Sequence, residues 1–115
     1  MLRAAGIQSW LLEPAPSRAA LVARLRGTGA KAPVLLMAHM DVVGVERDGW
    51  SVDPFGGEIR NGYVYGRGAI DDKGMLAVNL EIMLLLKRHV LEAGGTLSRD
   101  VIFLATSDEE SGGQW

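Results

Sequence analysis

Three short polar clusters in this chain hold residue types that can bind a metal ion or move a proton. The first is His39-Met40-Asp41. In an extended backbone, residues two apart face the same side. Asp41 can therefore orient the His39 ring and raise its basicity as a ligand, as carboxylates do behind zinc-bound histidines. The same pair also fits a strand end whose polar groups bond locally. The second cluster is Gly66-Arg67-Gly68-Ala69-Ile70-Asp71-Asp72-Lys73-Gly74. Its glycines let backbone approach a site closely, and Asp71 is placed where it could bridge two cations. Helix capping is the simpler role for an Asp at such a point. A phosphate cradle fits poorly, because the Walker pattern is absent and paired carboxylates repel phosphate unless metal intervenes. The third cluster is Ser107-Asp108-Glu109-Glu110-Ser111-Gly112-Gly113. Neighbouring side chains point different ways, so one acid can hold a metal while the next faces a bound water. A solvated acidic turn is the alternative. Gathered at one sheet edge, the clusters describe water activated by cations, with a carboxylate to take its proton.

The elements that must position these residues are readable from the apolar pattern. Ile7 to Leu12 is expected as a short strand ended by Glu13-Pro14-Ala15-Pro16, and Ala20 to Leu25 as a second strand. Pro33 to His39 is a continuous apolar run suited to a central strand buried on both faces. Met40 to Phe55 reads as a loop. Asn61-Gly62 between Glu58-Ile59-Arg60 and Tyr63-Val64-Tyr65 signals a hairpin, since a type I′ turn needs positive φ at both central residues. Asp71-Asp72 opens a helix running to about His89, acidic at its start as the helix dipole favours. That helix is apolar on most sides, as expected of a buried one. Asp100 to Thr106 is another buried strand. Strand, crossover helix and strand together imply an α/β domain with a mixed, partly parallel sheet. Ligands bind beyond the carboxyl ends of such strands, where His39 and Glu109 fall.

Bulk properties narrow the function classes. The 115 residues fit a single domain, 1–115. Twelve basic residues nearly balance 14 acidic ones, which argues against a nucleic-acid partner. No cysteine is present, so any metal must be held by His, Asp and Glu. The longest apolar stretch, Met75 to Leu86, is too short to span a membrane. The opening residues make a poor signal peptide, so a cytoplasmic setting is expected. Trp50 and Phe55 are expected to pack the loop, Arg67 and Lys73 to hold it, Asp108 to be structural, and His89 to sit near the exposed helix end.

Four segments taken together resemble successive signatures of one family: Leu36 to Val43, Trp50 to Phe55, Tyr65 to Gly74 and Ser107 to Gly113. It is the zinc metallopeptidase family of acetylornithine deacetylase, succinyl-diaminopimelate desuccinylase, carboxypeptidase G, aminoacylase and carnosine-type dipeptidases. The resemblance covers roughly Leu21 to Gly113 in matching order and spacing. It implies a three-layer catalytic domain with a long buried helix, of which this chain is the N-terminal part. It implies two zinc ions, with cobalt or manganese as substitutes. His39 would ligate one ion, Glu110 the other, and Asp71 both. Glu109 would be the general base and acid, and Asp41 would support His39 from behind. A further acid, a second His and a lid or homodimerisation domain would lie outside these 115 residues. The implied reaction is hydrolysis of an amide or peptide bond in an N-acyl amino acid or short peptide. The alternative is a catalytically inactive fragment, or a non-enzymatic binding module, that keeps the fold.

Overall fold

A computed structural model of the chain describes residues 1–113. Four strands make one sheet in the order β1-β2-β6-β3: β1 is Ser9–Ala15, β2 Arg18–Leu25, β3 Val34–His39 and β6 Val101–Thr106. Strand β2 pairs antiparallel with both β1 and β6, whereas β3 runs parallel to β6. A parallel pair needs a crossover. Here it consists of a loop with a 3-10 turn at Arg47–Gly49, the hairpin of β4 (Glu58–Arg60) and β5 (Tyr63–Tyr65), and helix α1 (Lys73–Leu86). The sheet is thus mixed, as expected of the fold class. Residues 1–113 hold the sheet and one helical layer of it.

The core lies where α1 meets the sheet. Phe103 and Met83 are its largest fully buried side chains, with Ala23, Leu25, Val101 and Ala105 around them and Leu2 and Ile7 closing one end. Strand β6 alternates buried and half-buried residues because it is paired on both edges and covered on one face. Buried Asn79 ties the helix to the sheet, its Nδ2 donating to the Met37 carbonyl at 3.2 Å. Gly27 is required by packing, since a Cβ there would sit 2.3 Å from the Arg99 carbonyl oxygen.

Several expectations are corrected. Strand β3 lies at an edge of the sheet, not in its centre, and Leu35 and Met37 are exposed. Its apolar run is what an inner strand would show, but β6 takes the inner place by pairing with both β2 and β3. Helix α1 is covered on one face alone: Met75, Val78 and Leu85 remain exposed. Its α-helical part ends at Leu86 and the helix goes on as a π turn over Lys87–Leu91, so the expected end near His89 falls inside that turn. Strand β1 runs through Pro14 to Ala15, with the register shifting between Leu12 and Ala15. An edge strand tolerates proline because its outward N–H has no partner to lose. The hairpin forms as read, with φ of 52° at Asn61 and 81° at Gly62.

Candidate metal centre

Parallel pairing of β3 with β6 sets the site. The register places His39 opposite Thr106, the last residues of the two strands, and Met40 N–H donates to the Thr106 carbonyl at 2.8 Å. The chain leaving β3 therefore runs beside the chain leaving β6. The third contributor is the loop before α1, where Lys73 N–H donates to the Gly68 carbonyl at 2.9 Å. Gly68 adopts φ +79°, and a Cβ on it would lie 2.5 Å from Val42 Cγ1, so glycine alone lets this loop close onto the segment after His39. The Asp71–Asp72 peptide is cis.

His39 is buried at 7% exposure. Its ring Nδ1 lies 3.1 Å from the Asp41 carbonyl and donates to it, which leaves Nε2 facing Asp71 Oδ1 at 3.0 Å. Its backbone N–H reaches Asp72 Oδ2 at 3.4 Å. Asp72 occupies the N-cap position of α1 but its side chain makes no cap bond, having turned to β3 instead. Glu109 Oε2 stands 3.9 Å from His39 Nε2. Burial pulls the His39 pKa down. The bond to Asp71, the Asp41 carbonyl and the nearby Glu109 charge outweigh it and leave the pKa raised. The ring is poised for a positive partner, whether a proton or a metal ion.

His39, Asp71 and Glu110 each offer a donor atom, all within 4.8 Å of one another. One imidazole nitrogen and two carboxylate oxygens are borderline-to-hard donors that suit zinc. The Asp71 and Glu109 side chains are exposed, 80% and 62% accessible.

The Asp41 carboxylate does not make the closest contact to His39. Its Oδ1 is 3.6 Å from Nδ1, while the two oxygens accept the N–H groups of Glu109 at 3.3 Å and Glu110 at 3.0 Å. Burial would raise the Asp41 pKa, but those two amides prevail and lower it. Asp41 is thus the clasp between the two strand ends. Sequence reasoning did not foresee this role, or that of Asp72. Nor did it foresee Arg18, which pairs with buried Asp108 at 3.2 Å and steadies the same turn from β2. No spacing rule links such distant positions. The structure brings His39, Asp41, Asp71, Glu109 and Glu110 to one end of the sheet, whereas His89 is exposed on the π turn that follows α1.

Comparison with known proteins identifies the family. The sequence profile of Peptidase family M20/M25/M40 matches residues 35–115. Succinyl-diaminopimelate desuccinylase of Methylorubrum extorquens is 45% identical over 85 residues, 71% of this chain and 21% of its own length. The N-fatty-acyl-amino acid synthase/hydrolase of Mus musculus is 50% identical over 58 residues, 50% of this chain and 12% of its own. This chain therefore spans about a fifth or less of the relatives it matches. Among solved structures, an M20 family metallo-carboxypeptidase from Sulfolobus solfataricus superposes with TM-score 0.72 at 27% identity, covering 96% of this chain and 24% of that one. Human carnosine dipeptidase 1 superposes with TM-score 0.76 and 98% coverage of this chain, 25% of its own; at 24% identity it speaks for the fold alone.

Proposed function

The chain belongs to Peptidase family M20/M25/M40, and from that premise we propose that it supplies one half of a zinc centre that hydrolyses an amide or peptide bond in a small substrate. The observation that carries this is the grouping of His39, Asp71 and Glu110, with Glu109 beside them. His39 and Glu110 would each hold one ion and Asp71 would bridge them. Zinc bound there supplies a Lewis acid for the substrate carbonyl and acidifies water. Glu109, exposed and 3.9 Å from His39 Nε2, would be the group to accept a proton from water and hand it to the departing amine. Asp41 acts through the Glu109 and Glu110 amides, holding both acids against the His39 strand. It is a positioning residue.

Two zinc ions need more than three protein donors. With the chain spanning about a fifth of its relatives' length, we assign turnover to a protein in which other residues add the missing ligands. Residues 1–115 alone are expected to be inert and to bind at most one zinc weakly. Isothermal titration with zinc, combined with an assay on N-acetyl amino acids in the ligand-complete protein, tests the assignment. Glu109→Gln should keep zinc and lose about a hundred- to ten-thousand-fold in kcat, whereas Glu110→Gln should lose zinc as well. Near-normal turnover in Glu109→Gln overturns the assignment, and a stoichiometry of one zinc in the ligand-complete protein overturns the bridging role of Asp71.

A further inference from the structure

The Asp71 carboxylate takes little guidance from packing of its own. Its side chain is 80% exposed and meets His39 Nε2 at 3.0 Å. The backbone of residues 66–72 must therefore set where it stands. Lys73 N–H closes that loop on the Gly68 carbonyl at 2.9 Å, and a Cβ on Gly68 would lie 3.4 Å from the Asp71 carbonyl oxygen, so residues 68 and 71 lie against each other. Arg67, next to Gly68, fastens the start of the loop. Its N–H donates to the Pro54 carbonyl at 2.7 Å, and its guanidinium lies 5.8 Å from the centre of the Trp50 ring. Pro54 is the sole buried residue between 41 and 67. The segment before the β4–β5 hairpin thus has little core of its own, and Arg67 holds it at two places. Arg67 forms no ion pair among the described residues, and its Nε is buried without a hydrogen-bond partner. Buried donors are nearly always paired in native proteins. Arg67 keeps its place without that bond, so the stacking on Trp50 and the tie to Pro54 are what hold it.

We propose that Arg67 is a positioning residue for Asp71, latching the metal-centre loop to Trp50 and Pro54 on one side and passing that restraint through Gly68 on the other. The inference rests on the metal-hydrolase reading, since it takes Asp71 as a ligand. A carboxylate on an unlatched loop must be ordered each time an ion binds, and that cost comes off the affinity. Arginine suits the task because its planar cation stacks on an indole face while its main chain bonds elsewhere. Lysine would keep the charge without the plane, and methionine would keep the length and lose both. The sign of the effect separates a latch from a bare charge. Removing a cation near a metal site favours zinc on Coulombic grounds, whereas removing a latch weakens zinc.

The test titrates zinc into the 115-residue chain and follows the His39 ring by NMR, which reads weak binding. Asp71→Asn should weaken zinc about tenfold or more, since removing a ligand costs at least what removing its support does. Arg67→Met should weaken it about three- to tenfold, Trp50→Leu by a similar factor, and Arg67→Lys by less, because lysine keeps a cation over the ring. Trp50→Leu/Arg67→Met should bind no more weakly than Arg67→Met alone. Arg67→Met added to Asp71→Asn should cost nothing further, because its route runs through the lost ligand. Arg60→Met removes a like cation–ring pair, over Tyr65 at 5.1 Å in the hairpin, and should leave zinc affinity unchanged. In metal-free samples the amides of 68–72 should gain fast motion in Arg67→Met, while those of 101–106 do not. If Arg67→Met does not fold, Arg67→Lys and Trp50→Phe carry the same comparisons. Unchanged or tighter zinc binding in folded Arg67→Met, an equal loss in Arg60→Met, or additive losses with Asp71→Asn overturns the latch. If Asp71→Asn binds zinc as wild type does, the metal reading falls and the latch with it. If Asp71→Asn weakens zinc and the Arg67 variants do not, the latch alone falls.

Discussion

Replacing Asp41 with Asn should loosen the metal centre without touching any proposed ligand. The Asp41 carboxylate accepts the Glu109 amide at 3.3 Å and the Glu110 amide at 3.0 Å, with its side chain 17% exposed. Asn keeps the shape but offers one oxygen, and its NH₂ would confront the other amide. One charge-assisted bond is lost and the second loses its charge. Bonds to a charged group contribute about 1.5–3 kcal/mol and neutral ones about 1, which gives a gross loss of about 2–5 kcal/mol. Relief of repulsion works the other way, because Asp71, Glu109 and Glu110 all crowd the same end of the sheet. Asp71 and Glu109 are well solvated, so that relief is about 1 kcal/mol or less. The net destabilisation should be about 1–5 kcal/mol in urea unfolding. The His39 ring keeps its contact, since that runs through the Asp41 carbonyl. Zinc affinity, measured by calorimetric titration, should nevertheless fall about 10- to 100-fold, as for other residues that orient ligands from behind. Wild-type zinc affinity in Asp41→Asn, or a more stable protein, would refute the clasp.

Gly68→Ala should cost about 2–4 kcal/mol, combining left-handed backbone in a non-glycine residue with a Cβ 2.5 Å from Val42 Cγ1. Gly29→Ala shares the positive φ but has open space around it, so it should cost about 1–2 kcal/mol. Thermal melts of the pair separate strain from collision. Asp100 has a lowered pKa, held down first by the Gly27 amide and then by Arg24. A carboxylate with a lowered folded pKa stabilises the fold above its unfolded value near 3.8 and loses that contribution as pH falls through the folded value. Asp100→Asn should therefore lower the urea midpoint at neutral pH, with the gap to wild type narrowing below about pH 4.

Local chemistry made much of this legible. Asn61-Gly62 announces its hairpin because few other pairs accept positive φ twice. The apolar runs at 34–39 and 101–106 announce strands, and the acids after them mark the carboxyl ends. What could not be read is order within the sheet. Val34 to Ala38 looks like an inner strand whether or not anything covers its outer edge, so β3 was expected in the centre. Pro14 suggests a strand end, but only because its place on an edge strand is invisible until pairing is known. The grouping of His39, Asp71 and Glu110 was expected from the family resemblance and the clusters' positions at element ends. The Asp41 contacts to Glu109 and Glu110 depend on the β3–β6 register, and no local pattern carries that.

The same register sets the order in which the molecule can assemble. Val34 pairs with Val101 across a crossover that contains a hairpin and a helix, while β1 with β2 and β4 with β5 close over a few residues each. Bringing distant segments together costs chain entropy before any contact rewards it, so parallel pairing across a long crossover is intrinsically slow. The hairpins and α1 can form early, but His39 meets Glu110 only once β3 has docked on β6. The donor set is a product of the last closure. A metal ion bound by that set would therefore not template the early chain; it would hold the closed form, and its effect should fall on the unfolding rate and leave the folding rate nearly unchanged.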